Sequence, residues 1–347
     1  MSWRDGFLGL VLRIAVPVLA AFAVGAIVLL ALGKNPLDYY AFVFRRGLFS
    51  WAGLQETITR SAPLLLIAAG LIVAFRAGIW NLGVDGQFLL AAVICSAVAP
   101  WLIAFLPRWP TLIAALAVGG IVGAVWSLIP ALLKARYGVN EIITTLMMSF
   151  LGISFANVLI KLGFHDPSTT VPQTRTLPVP DRLPRLFDTT IHFGILIALG
   201  AILVVHFMMT RTAFGLKLRI VGANPRAAIH AGLPMARLTF ATFALSAALI
   251  GMGGAVEILG VHGTVRADWN PAYGLLVIPL VFLARFNGLG SIIFVVFFAA
   301  LQIGGESAAR RLDVPHYYVL LLVALVLLFL AIVEYLDHLS SSRKTVA

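Results

Sequence analysis

The segment 192-HFGILIALGAILVVHFMMTRTAFGLKLRIVGANPRAAIHAGLPMARLTFATFALSAALIGMGGAVEILG-260 decides the class of fold. It begins and ends on apolar runs of roughly 20 residues, the length a helix needs to cross about 30 Å of hydrocarbon. Between them, residues 211–237 hold five Lys/Arg and no Asp or Glu. That is the pattern of two membrane crossings joined by a short basic loop. In lipid the backbone must satisfy its own hydrogen bonds, so only helices or a closed barrel can span. The apolar runs are continuous rather than alternating, which leaves helices.

The same pattern repeats along the chain, which is 61% hydrophobic with only 11% charged residues and a mean hydropathy of +1.01. Candidate spans cover 14–32, 61–79, 87–106, 111–133, 141–163, 192–210, 238–260, 272–286, 289–305 and 316–335. The sequence therefore predicts an all-α polytopic membrane protein of about ten transmembrane helices, folded as one transmembrane domain over 1–347. The runs at 272–286 and 289–305 are short, and read either as tilted crossings or as a broken, re-entrant pair. The first run is too long for a signal-peptide core and reads as a retained span. Cys95 is the only cysteine and lies in an apolar run, which excludes a disulfide framework and a cysteine metal site. The net charge of +11 is assigned to residues that flank spans and meet anionic membrane lipid, not to nucleic acid.

Short basic loops stay in the cytoplasm. The 211–237 loop is the strongest of these, and counting spans outward from it places both termini in the cytoplasm. Two long segments then fall outside. Residues 36–60 read as an interfacial helix anchored by Tyr39, Tyr40 and Trp51. Residues 166–188, rich in proline and turn formers, read as an ordered or semi-extended loop.

Within the basic loop, Asn224 is a good N-cap, Pro225 fits the first helical position, and Gly232 suits the left-handed residue past the end. These signals predict a helix of about two turns, too short to stand alone. Packing must hold it, on its own spans and against a partner. Ala227 and Ala228 permit close backbone approach, while Arg226, Lys217 and Arg219 can meet carboxylates. The alternative is an ordinary basic loop facing headgroups. No phosphate-binding G-x-x-x-x-G-K-[ST] loop is present, so any nucleotide-driven step belongs to another chain.

Three further stretches carry polar groups in or beside spans. In 76-RAGIWNLGVDGQF-88, Asn81, Asp85 and Gln87 sit among glycines that break helix regularity, as in substrate-binding broken helices or in a plain turn. Arg76 is read as snorkelling to the headgroups or pairing with Asp85. In 137-YGVNEIITTLMMSF-150, Asn140 and Glu141 open a span, where capping competes with a pathway role; Thr144, Thr145 and Ser149 can bond between helices. Glu257, late in its span beside Gly251, Gly253 and Gly254, lines a pathway or makes a structural hydrogen bond. Catalytic chemistry finds no support: the seven histidines are scattered, and no H-E-x-x-H or G-x-S-x-G motif occurs.

From about residue 36 to 335 the chain resembles the membrane-spanning permease subunit of bacterial ABC importers for simple sugars and nucleosides, a branch similar to the ribose and branched-chain amino-acid permeases. The resemblance rests on 57-TITRSAPLLLIAAGLIVAFRAGIWNLGVDGQF-88, 139-VNEIITTLMMSF-150, 211-RTAFGLKLRIVGANPRAAIHAGLP-234 and 245-LSAALIGMGGAVEILGV-261. The motif from Asn81 to Gln87 points to the nucleoside-type branch, with Asp85 where glutamate is commoner. In 282-FLARFNGLG-290, Gly288 stands where the family usually has proline.

The resemblance implies an importer in the bacterial inner membrane that moves nucleosides or related simple sugars inward by alternating access. It implies a second permease subunit, same or different, an extracytoplasmic substrate-binding protein, and cytoplasmic ABC ATPase subunits. Those ATPases would use ATP and Mg, the permease itself binding no cofactor, and would dock on a coupling helix matching Gly222, Asn224, Pro225, Arg226, Ala227, Ala228 and Gly232. Asn81, Asp85, Gln87, Asn140, Glu141 and Glu257 are the pathway candidates. A simple-sugar or branched-chain amino-acid cargo, and an ion-coupled secondary transporter, are the alternatives.

Overall fold

The computed structural model describes residues 3–315 and 317–346. Among these residues no strand forms, and β pairing is limited to isolated bridges of Gln173 with Arg266 and Arg185 with His192. In chain order the helices are α1 (Trp3–Ala31), α2 (Pro36–Phe44), α3 (Trp51–Arg76), α4 (Val84–Leu102), α5 (Arg108–Trp126), α6 (Leu128–Tyr137) and α7 (Glu141–Val158). They continue as α8 (Gly194–Arg211), α9 (Ala213–Ala223), α10 (Pro225–His230), α11 (Met235–Glu257), α12 (Tyr273–Leu283), α13 (Gly288–Leu312) and α14 (Tyr318–Val346).

Seven helical runs among the described residues are long and apolar enough to cross a membrane. Shorter apolar stretches lie at Ala15–Ala31, Tyr273–Leu283 and Tyr318–Val333. The expected span at 316–335 begins on His316, which lies outside the described residues. The two short candidates separate clearly. The second extends to the 25 residues of α13, a full crossing by length. α12 has only 11 residues, roughly 16 Å of helix, about half a hydrocarbon core.

The chain divides into two compact units, one from residues up to Thr57 together with those from Val296 onward, the other from Ile58–Val295. In the first, α1 packs along α14. Small residues of α13 let backbone approach closely: a side chain at Gly304 would strike the Val43 carbonyl, and one at Gly47 the Ala300 carbonyl. The stretch expected to be one interfacial helix is instead α2, a π-helical turn Arg45–Phe49, and the start of α3. Trp51 is exposed as an anchor would be, whereas Tyr39 is buried edge-on against Tyr318. Tyr40 donates or accepts at the Tyr318 hydroxyl, 2.8 Å away, and lies 2.8 Å from the Phe22 carbonyl oxygen. Tyr39 by its burial and Tyr40 by its hydroxyl bonds serve internal packing rather than the interface.

In the second unit α11 is the central helix and packs most extensively against α5 and α4. The contact is made by small residues at helical spacing. Gly119 and Gly123 on α5 face Ala247, Gly251 and Ala255 on α11, and Gly254 faces the Phe88 carbonyl of α4. Where lipid supplies no hydrophobic drive, such close packing supplies the attraction between helices. Residues 164–193 form an ordered cover over the end of α11, as expected of that proline-rich loop. N–H groups of Leu177 and Leu183 donate to the carbonyls of Gly263 (2.8 Å) and Leu259 (2.9 Å), and the Arg182 guanidinium reaches the Val261 carbonyl at 2.8 Å. Those carbonyls end the π-helical turn Ile258–His262 and lack helical partners, so the loop completes the helix terminus. Partial burial holds the Arg182 pKa below the ordinary arginine value.

A Gly251→Val substitution places its side chain against the Gly119 carbonyl and is expected to cost about 1–3 kcal/mol through overpacking. Gly200→Ala, which enters open space, is expected to leave stability unchanged. Thermal unfolding of the detergent-purified variants checks both.

Candidate functional site

The basic loop folds as its caps dictate. Thr212 caps α9, accepting from the Gly215 N–H at 3.2 Å, and Asn224 caps α10, accepting from the Ala227 N–H at 3.1 Å. α10 then closes with paired C-terminal bonds, Gly232 N–H to Ile229 O (2.9 Å) and Leu233 N–H to Ala228 O (3.1 Å), with Gly232 at φ +71°. This is the double-bonded glycine stop that the sequence signals anticipate. Arg226, Ala227, Ile229 and His230 are exposed, while Ala228 is fully buried. The two alanines thus differ: Ala228 holds α10 to its own protein, and only Ala227 faces out.

Gly222, at the end of α9, rests on the turn after α3. A side chain there would collide with the Arg76 carbonyl, and Gly78, at φ +69°, would place its own within 3.0 Å of the Gly222 Cα. Backbone meets backbone at this point. Arg76 does not pair with Asp85. Its Nε donates to the Phe286 carbonyl at 3.2 Å, satisfying a group in the left-handed turn at Arg285 and Phe286 after α12. α13 then starts against α8, with Gly288 close to His206, and the glycine permits that approach.

From this turn the chain runs without helix through residues 80–83 into α4. Asn81 and Gln87 are buried and form a reciprocal amide pair, both bonds 3.1 Å. Asn81 also bonds Ser246 of α11 at 3.1 Å and accepts the Gly83 N–H at 3.1 Å. Thr145 of α7 accepts from Leu82 N–H (3.0 Å), and Ser149 accepts from Gly86 N–H (3.1 Å). A side chain at Gly86 would reach the backbone of Met148 and Ser149, and one at Gly152 the backbone of Gly86. Asp85 Oδ1 accepts the Gly274 N–H at 2.8 Å, placing a carboxylate at the positive end of α12. Every polar member of the motif from Asn81 to Gln87 therefore serves the joining of α4, α7, α11 and α12.

Asn140 and Glu141 lie at the start of α7. Asn140 caps the Ile142 N–H at 2.8 Å, and Glu141 pairs with Lys134 at 2.7 Å. Glu257 stands apart at the far end of α11, about 33 Å of helix from Met235. Its carboxylate is buried, with Oε1 3.1 Å from His262 Nε2 and 3.4 Å from the Tyr273 hydroxyl, which also accepts from Arg60 at 3.4 Å. Arg60, His262 and Tyr273 escaped the sequence reading. Arg60 left one signal, a charge at the head of an apolar run. His192 is buried nearby, and burial pulls its pKa down to about 4, against the opposing field of Glu257.

The geometry joins an exposed capped helix on one end of this unit to a bonded, non-helical entry into α4. A family model described as a branched-chain amino acid transport system / permease component matches residues 53–331. The chain belongs to this permease family. The glucose ABC transporter permease of Haloferax volcanii is 34% identical over 331 residues, covering 92% of this chain and 86% of that protein. The nucleoside ABC transporter permease of Lactococcus lactis subsp. cremoris is 28% identical, covering 92% of this chain and 91% of its own. The guanosine ABC transporter permease of Bacillus subtilis is also 28% identical, covering 91% of each chain. This protein is an ABC transporter permease subunit.

Two outcomes follow for the permease. Asn81→Leu strands the Gln87 amide and is expected to cost about 1–3 kcal/mol, while the Asn81→Leu/Gln87→Leu double variant recovers part of that loss. A thermal-unfolding double-mutant cycle measures the coupling. Because the folded-state pKa of His192 lies below its unfolded value near 6.5, its contribution is intact above pH 6.5 and is lost as pH falls towards 4. Melting temperature against pH, with His192→Gln as the control that flattens this window, reads the effect.

Proposed function

We propose that this permease is the membrane subunit of an ATP-driven importer that carries nucleosides or related simple sugars inward across the bacterial inner membrane. The family membership and the similarity to glucose, nucleoside and guanosine permeases support this cargo class. The observation that carries the mechanism is the contact of Gly222 with the Arg76–Gly78 turn. A push on exposed α10 passes through rigid backbone contact to the entry of α4, with no flexible side chain between.

In this reading α10 and the turns at Arg76–Gly78 and Arg285–Phe286 lie on the cytoplasmic side, and both termini do too. The seven long helical runs, α1, α14 and the broken crossing completed by α12 make ten crossings. Cytoplasmic ATPase subunits dock on α10 and supply ATP and Mg; a second permease subunit and an extracytoplasmic binding protein complete the assembly. Alternating access is a shift between two packings that nucleotide binding in the ATPase biases. Among the pathway candidates, Glu257 is retained as a cargo contact, while Asn81, Asp85 and Gln87 hold the broken entry together, and Asn140 and Glu141 cap α7.

Ala227→Glu and Ile229→Glu are expected to abolish co-purification of the ATPase, a loss of more than tenfold, with unchanged melting temperature, because both residues face outward. Ala228 is unsuited to this test, being packed inside. Cys95 is fully buried, so Arg226→Cys offers a clean label. A membrane-impermeant maleimide should modify it in inside-out vesicles and not in intact cells; modification in intact cells overturns the orientation.

A further inference from the structure

The end of α11 gathers a second set of side chains that the coupling apparatus does not use. Glu257 is 2% exposed, and while its Oε1 meets His262 and Tyr273, its Oε2 has no partner among the described residues. A buried carboxylate oxygen is costly unless something bonds it. Around it the surfaces are aromatic. Tyr273 packs edge-on against Phe88 (5.4 Å between centroids), Phe88 lies 6.2 Å from Trp269, and Trp269 meets the His262 ring at 5.2 Å.

Exposure grades across the set. Tyr273 is 1% exposed and Trp269 half-buried, while the His262 side chain is 43% exposed, so the cluster reaches from the interior to an open edge. The backbone that presents Trp269 and Tyr273 is held off its preferred conformations, with Asp268 at φ +63° and Ala272 at φ +52°. Such strain persists only where surroundings enforce it. Here Asn157 accepts the Asp268 N–H at 2.7 Å, and Lys161 pairs with the Asp268 carboxylate at 3.2 Å.

A carboxylate acceptor, a guanidinium and a phenol beside flat aromatic faces suit one ligand chemistry. Vicinal hydroxyls donate to the carboxylate, and the apolar face of a sugar ring, or a base, lies on the aromatic surface. We propose that Glu257, with Arg60, His262, Trp269 and Tyr273, forms a recognition site for the hydroxylated ring of the cargo within the permease. The proposal rests on the importer reading and names the residues that act on its substrate. The shared chemistry is a ring with adjacent hydroxyls, supplied by a free hexose or by the ribose of a nucleoside.

The test is uptake by cells carrying the complete transporter, with labelled D-glucose, guanosine and 2′,3′-dideoxyguanosine as probes. Guanosine uptake with glucose excluded assigns the ribose; the reverse assigns the free hexose, for which 2-deoxyglucose replaces the dideoxy probe. Wild type should prefer the hydroxylated probe to its deoxy counterpart by tenfold or more, since a site built around hydroxyls rejects analogues lacking them. Glu257→Gln should raise KM for the hydroxylated probe about tenfold and collapse that preference. Trp269→Ala, at a half-buried loop position, should raise KM for both probes and serves if Glu257→Gln fails to insert. Loss of the hydroxyl preference is a readout that a purely structural role leaves unmoved. Uptake by wild type with an unchanged KM and preference in both variants overturns the site alone. Uptake of neither probe by wild type overturns the cargo reading and the site with it.

Discussion

A stretch of backbone that leaves the helix inside a membrane protein must find its hydrogen bonds in side chains, and residues 80–83 meet that requirement. Thr145 serves Leu82 and lies 3.3 Å from the Trp80 carbonyl, Asn81 serves Gly83, and Gln87 holds Asn81 in place through both of its amide bonds. The pair uses donor and acceptor of each amide at once, so neither is left unsatisfied in a low-dielectric interior. The break lets α4 begin beside α7 and α11. It also lets Asp85 reach the first turn of α12, a half-length helix whose start needs an anion.

The same economy governs the packing. Glycine recurs wherever two backbones touch: Gly222 on the Arg76–Gly78 turn, Gly251 on Gly119, Gly86 on Gly152. These contacts are short, and the first of them sets the end of α9, just before α10, on the turn that leads to the entry of α4. A helix of six residues has little stability of its own, yet Asn224, Pro225 and Gly232 close both of its ends while Ala228 roots it. Its outward face is therefore held in one orientation on the protein, the property that the proposed docking of a partner uses. The polar groups at the other end of α11 are built differently, from a buried carboxylate at the helix end and aromatic rings on the strained loop that follows.

Much of this was legible in the residues. The apolar runs fixed helices and membrane, because length and continuity alone set what lipid accepts. Caps are local chemistry, so the limits of α10 could be read to the residue. The split between Ala227 and Ala228 could not, because which face of a short helix turns inward depends on what lies beneath it. The same limit explains Arg76, whose partner proved to be a carbonyl more than 200 residues along the chain rather than Asp85.

What the amino-acid order determined by itself was whatever depends on near neighbours or on solvent: the spans, the basic loop, the capped helix and the absence of a nucleotide motif. What only the tertiary structure decided was the use of each polar group. Asn81, Asp85 and Gln87, readable from the sequence as ligands for a solute or as members of a plain turn, bond the protein's own chain in the fold. Glu257 meets His262 and Tyr273 from the chain just beyond its own helix, and Arg60 joins through Tyr273 from a segment some 200 residues away. Hydrogen bonds reach only about 3 Å, and which side chains come within that distance is set by helix rotation and packing, which one sequence does not encode locally.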